Sequence, residues 1–213
     1  MTCIDGPIAL PEACRDRIDQ LLASGQRRLL GIAAAPGAGK STLASAIAHH
    51  YGEAVRVVPM DGFHLANATL HALGRHTRKG APDTFDAAGF VALLQRLRTP
   101  KPDTVVYAPE FRREIEEPIA GAIAVPADTP LVVTEGNYLL LDEAPWLLVR
   151  TLLDEAWYLD VPEALREARL MARHQRYGRS ADAARAWIAQ TDAPNALRVA
   201  RCRHRADWCL PWG

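Results

Sequence analysis

Short apolar runs of strand length alternate along this chain with helix-length stretches whose apolar positions recur every three or four residues. Pro11 to Arg28 reads as an opening amphipathic helix, with Ile18, Leu21 and Leu22 on one side. Leu29 to Ala34 has no polar side chain, the mark of a strand buried on both faces. Lys40 to Tyr51 follows as a helix and Ala54 to Pro59 as a second strand. Asp86 is placed to cap a helix that runs through Arg98. Thr104 to Ala108, Ala122 to Val125, Leu131 to Thr134 and Ala156 to Leu159 predict further short strands, and Pro162 to Arg205 is mostly helical in composition. Such alternation predicts an α/β fold of three layers, with a mostly parallel central sheet between helices. No repeat, low-complexity tract or Gly/Ser linker divides residues 1–213, so a single domain is expected.

Composition narrows the class. The 213 residues hold 25 Lys+Arg against 25 Asp+Glu, and a chain of this length buries roughly 70% of its unfolded surface. Zero net charge argues against a nucleic-acid binder. The balance is uneven, however: Glu163 to Arg205 holds ten arginines and four acids, so a +6 segment faces a −6 remainder. Met1 to Leu10 has an acid at Asp5 and no long apolar stretch, so no secretory signal is expected there, and no run of about 18 apolar residues predicts a membrane span. Cys3, Cys14, Cys202 and Cys209 lack the C-x-x-C spacing of a zinc site and read as free thiols. A cytoplasmic enzyme or binding protein is the expected class, with oligomeric state open and a homodimer among the options.

The strongest chemical signal is Ala34-Ala35-Pro36-Gly37-Ala38-Gly39-Lys40-Ser41-Thr42, between a predicted strand and a predicted helix. It fits the phosphate-loop pattern Gly-x-x-x-x-Gly-Lys-Ser/Thr, with Ala34 in place of the first glycine. Glycines let backbone N–H groups turn inward around phosphate oxygens, and the helix N-terminus adds partial positive charge. Lys40 is expected at the β- and γ-phosphates of ATP, Ser41 on Mg²⁺, and Thr42 near the α-phosphate. The chain is expected to be a P-loop NTPase of kinase type or an ATP-driven switch. No Asn-Lys-x-Asp guanine motif and no Leu-Ser-Gly-Gly signature occur.

Open α/β sheets bind ligands at the carboxyl ends of their strands, and three acids sit there. Asp61, in Met60-Asp61-Gly62-Phe63-His64, is expected to act as base toward the acceptor hydroxyl; Glu135 occupies a metal-binding position and is assigned to Mg²⁺. Asp160, with Pro162 and Glu163, reads as a helix-starting cap instead. Arg166, Arg169, Arg173 and Arg176 step by three and four residues, so they project within about a quarter of a helix circumference. With Arg179 they predict a lid, at about residues 162–180, that closes on phosphate through Arg173 first and Arg169 and Arg179 next. Aromatic residues are sparse around this stripe, against a stacking platform for single strands. Two irregular loops are candidate acceptor sites: Arg75 to Asp86, with Arg78, Lys79 and Asp83, and Tyr107 to Glu114, with Tyr107 and Arg112. His64 is placed to orient the acceptor or pack beside Asp61, His49 and His50 read as helix-face residues, and Thr191 to Asn195 is a candidate border of the adenine.

The ordered blocks Pro36-Gly-Ala-Gly-Lys-Ser-Thr, Met60-Asp-Gly-Phe-His, Arg78-Lys-Gly-Ala-Pro-Asp-Thr-Phe-Asp, Thr134-Glu-Gly-Asn-Tyr-Leu and Arg169…Arg173-His174…Gly178-Arg179 resemble the phosphoribulokinase/uridine kinase family, which includes bacterial pantothenate kinase. The likeness spans about Leu29 to Asn195 and is greatest to a bacterial branch labelled nucleoside/nucleotide kinase-like or fructose-transport-system kinase (fructokinase). The resemblance implies ATP- and Mg²⁺-dependent phosphoryl transfer to a hydroxyl of a small molecule, the aspartate after the second strand as base, and an arginine-bearing lid. A sugar such as fructose is the first acceptor it implies; pantothenate, a nucleoside and glycerate follow. Ala34 departs from the family pattern, and the base-recognition loops of uridine kinase have no clear match.

Overall fold

The computed structural model describes residues 9–213, so Cys3 and most of Met1 to Leu10 lie outside the described residues. Helix α1 (Glu12–Leu22) stops well short of Arg28, because Ser24 and Gly25 (φ 66°) turn the chain into strand β1 (Arg28–Ala33). Helix α2 (Lys40–Tyr51) has the expected bounds, whereas strand β2 is only Val55–Val57. A short helix α3 (Asn67–Ala72) precedes α4 (Ala87–Arg98), which Asp86 caps by accepting the Gly89 N–H at 2.8 Å. Strands β3 (Val106–Arg112), β4 (Glu117–Val125) and β5 (Leu131–Gly136) lead to helix α5 (Leu147–Leu152) and strand β6 (Glu155–Asp160). Helices α6 (Glu163–Arg176), α7 (Ala181–Trp187) and α8 (Ala193–Arg201) fill the helical third, and strand β7 (Trp208–Pro211) ends it.

Five strands pair in parallel in the order β2-β5-β1-β6-β7. Because side chains alternate along a strand, consecutive residues feed opposite layers. Leu29 and Val132 pack with Phe90, Tyr138 and Trp146 in one layer; Leu30, Ile32 and Val133 pack with Ile18, Leu43, Ile47 and Trp157 in the other. This is the doubly covered sheet that the apolar runs predict.

Two expectations are corrected, and one strand is new. β3 and β4 do not join the central sheet; they form a separate antiparallel ribbon, with a register break between Ala108 and Glu110 at Pro109. Proline cannot donate to a ladder and is confined to edges and bulges, which suits a two-stranded ribbon better than a central strand. Asp160 caps nothing: α6 begins after Pro162 without a side-chain cap, and Asp160 pairs with Arg203 at 3.0 Å. β7 was not expected.

Candidate active site

The carboxyl ends of β1, β2 and β5 open on one side of the sheet. There the chain leaves β1 through Ala34 to Gly39 and enters α2. Gly37 (φ 79°) and Gly39 (φ 89°) take left-handed backbone conformations that favour glycine, which turns this loop into a cradle. Lys40 is buried, and its ammonium donates to Asn137 Oδ1 at 2.6 Å and, more weakly, to the carbonyls of Ala34 and Ala35. Ser41 Oγ donates to Glu135 Oε1 at 2.7 Å. These contacts set a cation, a hydroxyl and a buried carboxylate at the mouth of the loop.

A cleft of about 720 Å³ runs from this cradle to Asp61 and the long loops. The Asp61 carboxylate accepts from Arg113 Nη2 at 3.1 Å and keeps 27% of its side chain exposed, toward the cleft. His64 Nδ1 lies 2.7 Å from the Asp61 carbonyl, which makes it the donor, and the ring packs, tilted, against Phe85 and Phe111 at centroid distances of 4.0 and 4.6 Å. The opposite wall is the C-terminal half of α6 and its continuation. Arg173 faces the cleft there, and the guanidinium carbon of Arg179 lies over the Trp187 ring, 3.7 Å from its centre. A buried His174–Asp192 contact of 2.8 Å ties α6 to the wide π-turn at Ile188–Asp192.

The charges are strongly perturbed. Burial pushes the Lys40 ammonium below its ordinary pKa, against the pull of Glu135 and Asp61. Burial alone would raise the Asp61 carboxyl, but the combined field of His64, Arg113, Lys40 and Arg173 outweighs it and holds Asp61 below the usual aspartate range. Glu135 goes the other way, raised by burial and by Asp61 beyond what Lys40 and the Ser41 hydrogen bond restore. Burial also lowers His64, against the pull of Asp61. Two neighbouring carboxylates with oppositely shifted pKa values mark a site built for charge handling.

Of the residues singled out in the sequence, Pro36, Gly37, Lys40, Ser41, Asp61, His64, Lys79, Glu135, Arg173 and Arg179 line this one cleft. Ala38 and Gly39 complete the cradle; Arg169 reaches it only through a long 3.5 Å contact to the Ala38 carbonyl, and Thr42 is exposed on the first turn of α2. Others are placed elsewhere. Arg78 and Asp83 pair with one another at the surface; Tyr107 is 58% exposed on the outer face of β3; Arg112 pairs with Glu110 at 2.9 Å. Arg113 takes the place expected of Arg112. Phe111 and Arg113, two residues apart, line the cleft, whereas Glu110 and Arg112 do not. Asn137 was also missed, although a two-residue step from Glu135 along an extended chain puts it on the same side. Thr191, Asp192 and Asn195 are buried and line the cleft beside His174.

A family model described as phosphoribulokinase/uridine kinase matches residues 29–212. The chain belongs to that family. A candidate uridine kinase of Schizosaccharomyces pombe is 35% identical over 181 residues, which cover 80% of this chain and 77% of that one. The Escherichia coli protein YggC is 36% identical over 179 residues, covering 82% and 73%. Among solved structures, a candidate fructose transport system kinase from Silicibacter sp. TM1040 superposes with a TM-score of 0.81 at 38% identity, covering 92% of this chain and 98% of that one. This protein is therefore a P-loop kinase with the parallel α/β sheet of its relatives, and its family uses ATP. Among the described residues no helix is long and apolar enough to cross a membrane.

Proposed function

We propose that this kinase transfers the γ-phosphoryl group of ATP, presented with Mg²⁺, to a hydroxyl of a small metabolite, with a sugar as the first acceptor class to test. One observation carries the reading: Asp61 and the Lys40–Ser41–Glu135 cradle face each other across a single cleft of metabolite size. Asp61, ionised at neutral pH, accepts the proton of the acceptor hydroxyl as its oxygen bonds to phosphorus, and the bond to the bridging oxygen of ADP breaks. Lys40, Arg173 and Arg179 carry fixed positive charge to the phosphate oxygens, so their contribution is positioning and electrostatic stabilisation. Ser41 and Glu135 fit a magnesium ion: a hydroxyl and a carboxylate, already in contact, are hard oxygen donors of the kind it prefers. Held there by Ser41 and Glu135, the ion would offset the charge of the phosphate oxygens. The sugar assignment leans on the description of the Silicibacter relative.

An ADP-release screen over sugars, sugar phosphates, nucleosides, pantothenate and glycerate tests the reading. One acceptor should raise ADP release far above the ATP-only rate and leave phosphorylated product. ATP binding with no acceptor-dependent release across the panel would point to an ATP-driven switch instead.

A further inference from the structure

We infer that the acceptor carries an oxyanion, a carboxylate or a phosphate, held by Lys79 and Arg113. The inference rests on the kinase reading and narrows its substrate class.

Lys79 stands in the loop between α3 and α4, and its ammonium hydrogen-bonds to Asn67 Oδ1 at 2.7 Å and to the Glu116 carbonyl. Both acceptors are neutral. Asn67 is itself fixed, its backbone N–H donating to the Glu117 carboxylate at 3.0 Å and its side-chain amide to the Glu116 carbonyl at 3.1 Å. Lys79 is thus held in place by α3 and the ribbon turn, yet among the described residues it has no ion-pair partner within 4.0 Å. The nearest carboxylates, Glu116 and Glu117, do not offset the burial that lowers its pKa.

The ammonium lies 5.1 Å from the centre of the Phe111 ring, and the Arg113 guanidinium lies 5.9 Å from the same ring. Phe111 packs against His64, which packs against Phe85, so two cations flank one aromatic wall at the Asp61 end of the cleft. Arg113 uses one nitrogen on Asp61 and has further donors. The ATP phosphates are matched on the other wall by Lys40, Arg173 and Arg179. A neutral acceptor would leave the half-buried Lys79 charge with only Glu116 and Glu117, beyond ion-pair distance, to balance it, and a partly desolvated cation without a direct partner is costly. A hydroxylated molecule with a carboxylate or phosphate resolves this by placing its anion on Lys79 and Arg113 while its hydroxyl meets Asp61.

Binding can be read without turnover. With AMP-PNP and Mg²⁺ saturating the cradle, calorimetric titration compares fructose with fructose 6-phosphate, ribose with ribose 5-phosphate, and glycerol with glycerate. At least one anionic member should bind about tenfold or more tightly than its neutral counterpart, and Lys79→Met or Arg113→Met should remove about tenfold of that affinity while AMP-PNP affinity stays unchanged. Lys79→Arg should retain most of the preference. Whether the phosphate or the carboxylate member binds distinguishes the two anion sources. Neutral members binding as tightly as anionic ones, no anionic probe binding, or a preference intact in both Met variants would overturn the inference and leave the kinase reading standing. Oxyanion preference without any turnover in the ADP-release screen would instead count against the kinase chemistry.

Discussion

At the scale of single residues, the side chains that matter are those whose backbone position leaves no choice of direction. Lys40 follows a left-handed glycine at a helix start and points into the cradle, so Lys40→Ala should weaken ATP binding about tenfold or more, read as the Kd for a fluorescent ATP analogue, while the fold survives. An unchanged Kd would place the phosphates elsewhere. Lys40 and the strand-end acids Asp61 and Glu135 were legible in the sequence for this reason: a motif and a strand end fix where they sit. Arg112 and Arg113 were not distinguishable, because they are adjacent on a ribbon whose packing side local apolarity does not mark, and only the fold shows that Arg113 lines the cleft. The thiols offer an independent check at this scale. Burial pushes Cys14 up to about 11, so at pH 8 only about a thousandth of it is thiolate. Iodoacetamide should label half-buried Cys209 in the native protein and Cys14 only after denaturation; rapid native labelling of Cys14 would contradict its packing against α2 and the sheet.

At the scale of elements, the decisive contact is between the cradle and α6. A Cβ on Gly37 would stand 2.6 Å from the Arg166 carbonyl and 2.9 Å from Leu170 Cγ, and its φ of 79° strains any other residue. Gly37→Ala should therefore push the arginine helix off the loop, lowering stability by about 1–3 kcal/mol and weakening ATP binding together. Chemical denaturation and the ATP Kd, measured in parallel, check this; a loss of neither would mean that α6 does not rest on the loop. The alternation of strands and helices was readable because a strand covered on both faces needs an unbroken apolar run. β7 was not, since Trp208–Pro211 is four residues long, ends in proline and lies at the sheet edge. The ribbon was misplaced for a related reason: β3 buries only part of its length and β4 exposes most of its own, a pattern that local apolarity does not distinguish from a sheet strand.

For the whole molecule, net charge zero conceals a division of labour narrower than the +6 segment first implies. Arg173 and Arg179 face the cleft, but Arg185, Arg198 and Arg203 pair with Asp182, Glu143 and Asp160, and Arg205 donates to backbone carbonyls of Leu140 and Leu141. Four of the ten arginines of this segment are thus engaged with other groups of the fold, and two line the cleft. The cations at the Asp61 end come instead from the middle of the chain, Lys79 and Arg113, where charge counting gave no hint of them. In the proposed function the site is assembled from both walls: phosphate-binding groups on α2 and α6, acceptor-binding groups on the loops and the ribbon, and Asp61 between them. The most direct test of this arrangement is Asp61→Asn, followed by kcat with the acceptor found in the screen and by the Kd for ATP. kcat should fall about 100-fold or more with ATP affinity within about threefold of the parent. Undiminished turnover, or loss of ATP binding with the fold intact, would contradict this arrangement.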